Sequence, residues 1–194
     1  MEDDHEDDAL DQIAEDFKKY TGGRNMRTEA AALRGTYLSR WMDLELNLDE
    51  LITEYLEVPD SKREDMTDGL LPEIMSVNVK VEFLELIVRR VDPTSKAHTL
   101  TRQAQVIRNA LAHKAANWAD ISPEVQAGAI AVVNYKGGRR RTTYIEPNVA
   151  LSGLKAAIDA IYELTLKARP DYVERMKART RAAIGAGPSS PNLT

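Results

Sequence analysis

The segment Arg108-Asn109-Ala110-Leu111-Ala112-His113-Lys114 brings a permanent cation, a side-chain amide and an imidazole together in one short stretch. An imidazole can take a proton from a hydroxyl, and a guanidinium can stabilise charge building on phosphoryl oxygens. Together they suit metal-free cleavage of a phosphodiester from a neighbouring 2′-hydroxyl. The spacing alone carries little weight. With sixteen Arg and three His in the chain, an Arg followed five positions later by His is expected by chance about 0.25 times.

Helical geometry adds a constraint. Five residues turn a helix through about 500°, which leaves Arg108 and His113 about 140° apart around the axis. Asn109 and His113, four apart, share a face. The expectation is a helix that ends at the motif, with the flexible Arg108 side chain swinging round to His113. A homodimer supplying a second set across a shared cleft would also complete the pair. The helix dipole favours protonated His113 and the Arg108 charge opposes it.

The elements that must position these groups read as mostly helical. Leu10, Ile13, Ala14 and Phe17 predict a short helix before Thr21-Gly22-Gly23. From about Thr28 to Leu56, Leu33, Tyr37, Trp41, Leu44, Leu48, Leu51, Ile52 and Tyr55 mark one amphipathic helix about 43 Å long. Residues 57 to 69 read as a connection with at most a short helix inside. A second long helix, with Asn78 as N-cap, carries Val81, Leu84, Ile87 and Val91 and stops at Asp92-Pro93. A third runs from about Ser95 to between His113 and Asn117 and holds the motif on its last turn. Ala129 to Tyr135 and Arg139 to Glu146 are rich in Val, Ile, Thr and Tyr and flank Lys136-Gly137-Gly138, which predicts a β-hairpin. Helices resume with Leu151, Leu154, Ile158, Ile161 and Leu164, and again from Asp171 to Ile184. The fold class is mainly α, an antiparallel helical bundle with one inserted hairpin.

Composition narrows the function classes. The chain has 194 residues, 43% of them hydrophobic, enough for one sizeable core. We expect an acidic head at 1–23, a single helical domain at 24–184 and a disordered tail at 185–194. Cysteine is absent, which excludes disulfides and thiolate metal sites. His5 and His98 have no companions at ligand spacing, so no metal or other cofactor is expected. No apolar run approaches the ~20 residues that span a bilayer, and the first residues are acidic, so the expected location is the cytoplasm. The net charge of −5 hides an asymmetry, because residues 1 to 16 hold nine acidic and no basic residues. The remainder is net basic and compatible with a polyanion such as RNA. The head itself reads either as a solvated tail or as a competitor for that basic surface.

With these segments in view, the chain resembles the HEPN superfamily, helical bundles marked by Arg, four to six residues, then His. Arg108-Asn109 and Ala112-His113 match its signature. Gly35 to Leu56 is similar to the long first helix, with Glu45 among the apolar positions, and Met75 to Ile87 resembles the next core helix, with Lys80 just after its start. The resemblance covers roughly residues 30 to 165. It implies a metal-independent endoribonuclease that leaves a 2′,3′-cyclic phosphate and a 5′-hydroxyl. The implied setting is a homodimer acting as a toxin or in phage defence, with an antitoxin or regulatory protein as a further partner. Arg108 and His113 take the catalytic positions and Asn109 a supporting one, with Glu45 and Lys80 behind them. Toxins paired with a nucleotidyltransferase antitoxin carry Tyr two residues after the His, where this chain has Ala115. Some members are non-catalytic, so the alternative is a dimeric HEPN-like module that binds RNA or a partner protein.

Several residues keep two roles open. Arg108 could pair with a carboxylate such as Glu45, and Glu45 fits a buried salt bridge or cap better than acid catalysis. Lys80 suits a solvated first turn as well as a site role. Lys114, Lys136, Arg139, Arg140 and Arg141, beside Tyr135 and Tyr144, suit phosphate contact and base stacking. Period two places Arg139 and Arg141 on one strand face and Arg140 on the other. Trp41 and Trp118 read as core or dimer contacts.

Overall fold

A computed structural model describes residues 25–117, 120, 122–136 and 139–185. The fold is mainly helical with a small antiparallel sheet, in line with the sequence expectation. The acidic head with its helix, Trp118, Gly137-Gly138 and the tail from residue 186 onward lie outside the described residues. No helix among the described residues is long and apolar enough to cross a membrane.

The long first helix, α1, spans Met26–Tyr55. Asn25 starts it, because its Oδ1 accepts a hydrogen bond from the Thr28 amide at 3.1 Å, the N-cap arrangement. Leu33, Tyr37, Trp41, Leu44, Leu48, Leu51 and Ile52 are all buried along it, as their spacing predicts. Its end is a Schellman turn. The Glu57 amide donates to the Glu54 carbonyl at 3.1 Å and the Val58 amide to the Thr53 carbonyl at 3.1 Å. Glu57 takes the left-handed position of that turn, with φ of 57°, where glycine is usual.

The connection after α1 is more helical than expected. A 3₁₀ turn at Asp60–Lys62 and a π-helical turn at Asp65–Leu70 lead into α2 (Leu71–Ile74). Leu71 is buried, and that tertiary anchor overrides the breaker-rich local sequence. Helix α3 spans Val77–Val91 and is preceded by Ser76, so Asn78 lies inside its first turn rather than capping it. It stops before Asp92-Pro93 as expected. Helix α4 spans Ala97–His113, and β1 (Ala115–Ala116) follows after a single residue. A short α5 (Pro123–Gln126) precedes β2 (Ile130–Lys136) and β3 (Arg139–Ile145). Helices α6 (Pro147–Ala168) and α7 (Tyr172–Gly185) complete the described chain.

Two compact units divide the chain. One takes the chain up to Asp43 together with Leu100–Ala156. Its sheet has the order β1-β2-β3, antiparallel throughout, with Ala115 opposite Val133, Ile130 opposite Ile145 and Lys136 opposite Arg139. Ile130, Ala131 and Val132 are consecutive and all buried, so both faces of β2 are covered there. Tyr37 is buried in the same unit and its hydroxyl donates to the Ala104 carbonyl at 2.9 Å. Burial pushes its phenol well above the usual tyrosine range.

The other unit comprises Leu44–Thr99 and the chain from Ala157 onward, and it contains two buried ionic groupings. The Lys80 ammonium lies 2.6 Å and 2.7 Å from the two Asp49 carboxylate oxygens, with both residues buried. Burial pushes the Asp49 carboxyl up. Its bond to Lys80 and the Lys80 charge pull it back, and the nearby Glu45 charge adds to the rise. The second grouping centres on Glu54, which is 0% exposed. Arg63 at 2.9 Å, Arg179 at 3.0 Å, Arg175 at 3.3 Å and Arg169 at 3.4 Å converge on its carboxylate. Glu57, Asp60 and Glu50 share those guanidiniums, with a close Arg63–Glu50 pair, so the acidic and basic charges balance.

That balance predicts unequal costs. Glu54→Gln removes the charge that four guanidiniums share and should destabilise the protein by about 3–5 kcal/mol. Glu57→Gly removes one exposed partner but relieves a left-handed non-glycine residue, so its net change should stay within about 1 kcal/mol. Urea unfolding of the two variants checks both values. A second prediction concerns pH. The Asp92 carboxyl is drawn down to about 2, first by its hydrogen bond from Lys167 and then by those from Thr94. Its stabilising effect is therefore complete above an unfolded value of about 3.9 and is lost as pH falls through about 2. Asp92→Asn should flatten the fall in urea midpoint across that window.

Candidate functional site

Helix α4 owes its orientation to one buried stripe. Ala97, Thr101, Ala104 and Leu111 are buried, whereas Gln103, Val106, Asn109 and His113 are exposed. Asn109 and His113 therefore share an open face one turn apart, as the spacing requires. Arg108 is half-buried between the two faces. Its Nη1 donates to Asn109 Oδ1 at 3.2 Å, and its Nε is buried without a hydrogen-bond partner among the described residues. Among the described residues the hydrogen bond of the Arg108 side chain goes to Asn109, and none joins it to His113. Within one chain the order is Arg108 to Asn109, with His113 at the next turn.

The helix stops at His113 because the backbone enters the sheet immediately afterwards. The Lys114 amide still donates to the Ala110 carbonyl at 3.1 Å, but Ala115 already pairs with β2, and the Asn117 amide donates to the Ala131 carbonyl at 2.8 Å. The carbonyls released at this end need partners. Arg34 of α1 meets one of them, its Nη2 donating to the Lys114 carbonyl at 2.9 Å. Residues separated by 80 positions meet there, and nothing in the local sequence signals it. A helix C-terminus by itself repels anions. Arg34, Arg108 and Lys114 bring three cationic side chains to the stretch that carries the His113 imidazole, and they oppose that repulsion.

The hairpin divides its basic run as the strand period requires. Arg139 and Arg141 share a face of β3 with Thr143 and Ile145, and Arg140 lies on the other. The Arg140 charge acts on Asp120. Burial would raise the Asp120 carboxyl, but bonds from Ser122 and Asn117, with the Arg140 charge, outweigh it and hold the group below its ordinary value. Arg140 therefore lies on the strand face opposite Arg139 and Arg141, with its charge felt at Asp120. Lys136 occupies the last position of β2, and its side chain lies outside the described residues.

Glu45 and Lys80 belong to the other unit. Lys80 is neither solvated nor open, because Asp49 engages its ammonium. Glu45 is half-buried one turn before Asp49 on α1. Asp49 escaped notice in the sequence, although an acid between Leu48 and Leu51 on the stripe is the signal that a cation must lie opposite. No protein-family model, curated protein or solved structure matches this chain.

The Arg34 contact yields a stability test. Arg34→Met keeps the aliphatic stem but removes the donor to the Lys114 carbonyl, and should cost about 1 kcal/mol. Comparison of urea midpoints with Arg34→Lys checks it, since lysine retains a cation and should recover part of the loss.

Proposed function

We propose that the chain is a metal-independent endoribonuclease of the HEPN type, acting in the cytoplasm in a toxin or phage-defence role. The observation that carries this reading is the exposed Asn109–His113 face at the end of α4, with Arg108 tied to Asn109 and Arg34 and Lys114 adding positive charge. The cations attract the RNA backbone. The His113 imidazole takes the proton of a 2′-hydroxyl, whose oxygen then bonds to the adjacent phosphorus. The bond to the 5′-oxygen breaks, and that oxygen leaves with a proton, giving a 2′,3′-cyclic phosphate and a 5′-hydroxyl. Arg108 stabilises the charge on the phosphoryl oxygens.

Two proton transfers call for two groups, and in a single chain Arg108 is bonded to Asn109 rather than to His113. A homodimer meets both needs, with the partner subunit's His113 protonating the leaving oxygen. The Arg108–Asn109 hydrogen bond also favours a second reading, in which the same surface binds RNA without turnover, with an antitoxin or regulatory protein as a further partner.

RNA incubated with the protein in EDTA should be cut to products with cyclic-phosphate ends. His113→Ala, checked for folding by circular dichroism, should reduce the rate by about 10²–10⁴-fold. Unchanged cleavage by that variant overturns the catalytic assignment, and RNA binding with no cleavage by the wild type selects the second reading.

A further inference from the structure

Beside the α4 terminus, the first unit contains a groove of about 210 Å³ between α4, β3 and the first turn of α6. Val106 and Ala110 form one wall, Tyr144 and Val149 the other, and Lys114 and Glu146 supply the polar rim. Val106 is 67% exposed, Val149 61% and Tyr144 39%, so apolar surface that folding could have buried is left around one opening. Ala110 follows Asn109 and Lys114 follows His113, so the groove shares its helical wall with the candidate site.

We propose that this groove is a nucleobase subsite for single-stranded RNA, holding a base next to the phosphate at the α4 terminus. It rests on the ribonuclease reading only in taking RNA as the ligand. Size is the first argument, since the volume falls below the ~300 Å³ at which pockets take drug-sized molecules and suits one ring system. Surface chemistry is the second, because Tyr144 offers an aromatic face between aliphatic walls, the setting in which bases stack. Charge is the third. Lys114 stands at the groove, and Arg141 and Arg139 extend the strand face of its lining residues Thr143 and Ile145, about 7 Å for each two residues. Tyr144 joins the lining from the alternate position, with Arg140. A chain with an apolar flat group flanked by anions on both sides uses all of these features. The rim carboxylate of Glu146 accepts from an exocyclic amine, which adenine and cytosine possess and uracil lacks.

The test uses the full chain and fluorescent 2′-O-methyl octamers of adenosine, cytidine or uridine, which cannot be cleaved through a 2′-hydroxyl. Anisotropy titration should give about fivefold or greater preference for the adenosine and cytidine octamers over uridine. Tyr144→Ala should weaken adenosine-octamer binding about tenfold. Val106→Trp, at an exposed position, should do the same by filling the groove, and Glu146→Gln should reduce the preference over uridine. Affinities of Tyr144→Ala and Val106→Trp unchanged for every octamer overturn the subsite. RNA cleavage by the wild type with those unmoved affinities retains the ribonuclease and rejects the subsite. Base-selective, Tyr144-dependent binding without any cleavage does the reverse.

Discussion

One residue separates helix from sheet at the candidate site, and the placement of His113 depends on that constraint. Lys114 is the only position between the last residue of α4 and the first of β1. A helix that ended in a loop would fray and leave its last side chains mobile. Here β1 pairs with β2 directly after the turn, and Arg34 takes up the Lys114 carbonyl. The last turn is therefore held from both sides, by strand pairing after it and by a guanidinium from α1. Asn109 and His113 inherit that rigidity while remaining exposed, and the groove toward Tyr144 takes its shape from the same junction.

The second unit handles charge differently. Glu54 is completely buried, yet no guanidinium around it belongs to it alone, because each of the four also reaches a neighbouring acid or shares the same carboxylate. An isolated ion pair at this depth would struggle to offset its desolvation. A balanced group distributes that cost and fixes the positions of α1, the 3₁₀ turn and α7 together, since Glu54, Asp60, Arg175 and Arg179 come from those three elements. The Lys80–Asp49 pair does similar work for α1 and α3. These charges specify which helix faces meet, which an apolar stripe alone leaves loose.

Periodicity made the helices legible. The apolar stripes of α1, α3, α4 and α6 fall within a few residues of their structural limits, and Val-, Ile- and Thr-rich segments marked the hairpin. The motif was legible in the same way, down to the shared face of Asn109 and His113. What escaped depends on distant partners. Ala115-Ala116 has no strand character of its own and becomes β1 because Val132 and Val133 stand opposite. Arg34 looks like any exposed helical arginine until α4 ends beside it. Lys80 has the composition of a solvated residue, and Asp49 makes it a buried one. The turn after Tyr55 reads as polar coil, although Leu71 draws its later part into helix.

The hairpin register has a consequence of its own. Lys136 stands opposite Arg139, and the next pairs toward the core end place Tyr135 opposite Arg140 and Asn134 opposite Arg141. Like charges at paired strand positions oppose the pairing. Dissolved salt screens such repulsion. Pairing of β2 with β3 at that register should therefore strengthen as ionic strength rises, the reverse of the surface ion pairs elsewhere in the chain. In this segment charge works against the fold, whereas in the Glu54 grouping it holds the fold together.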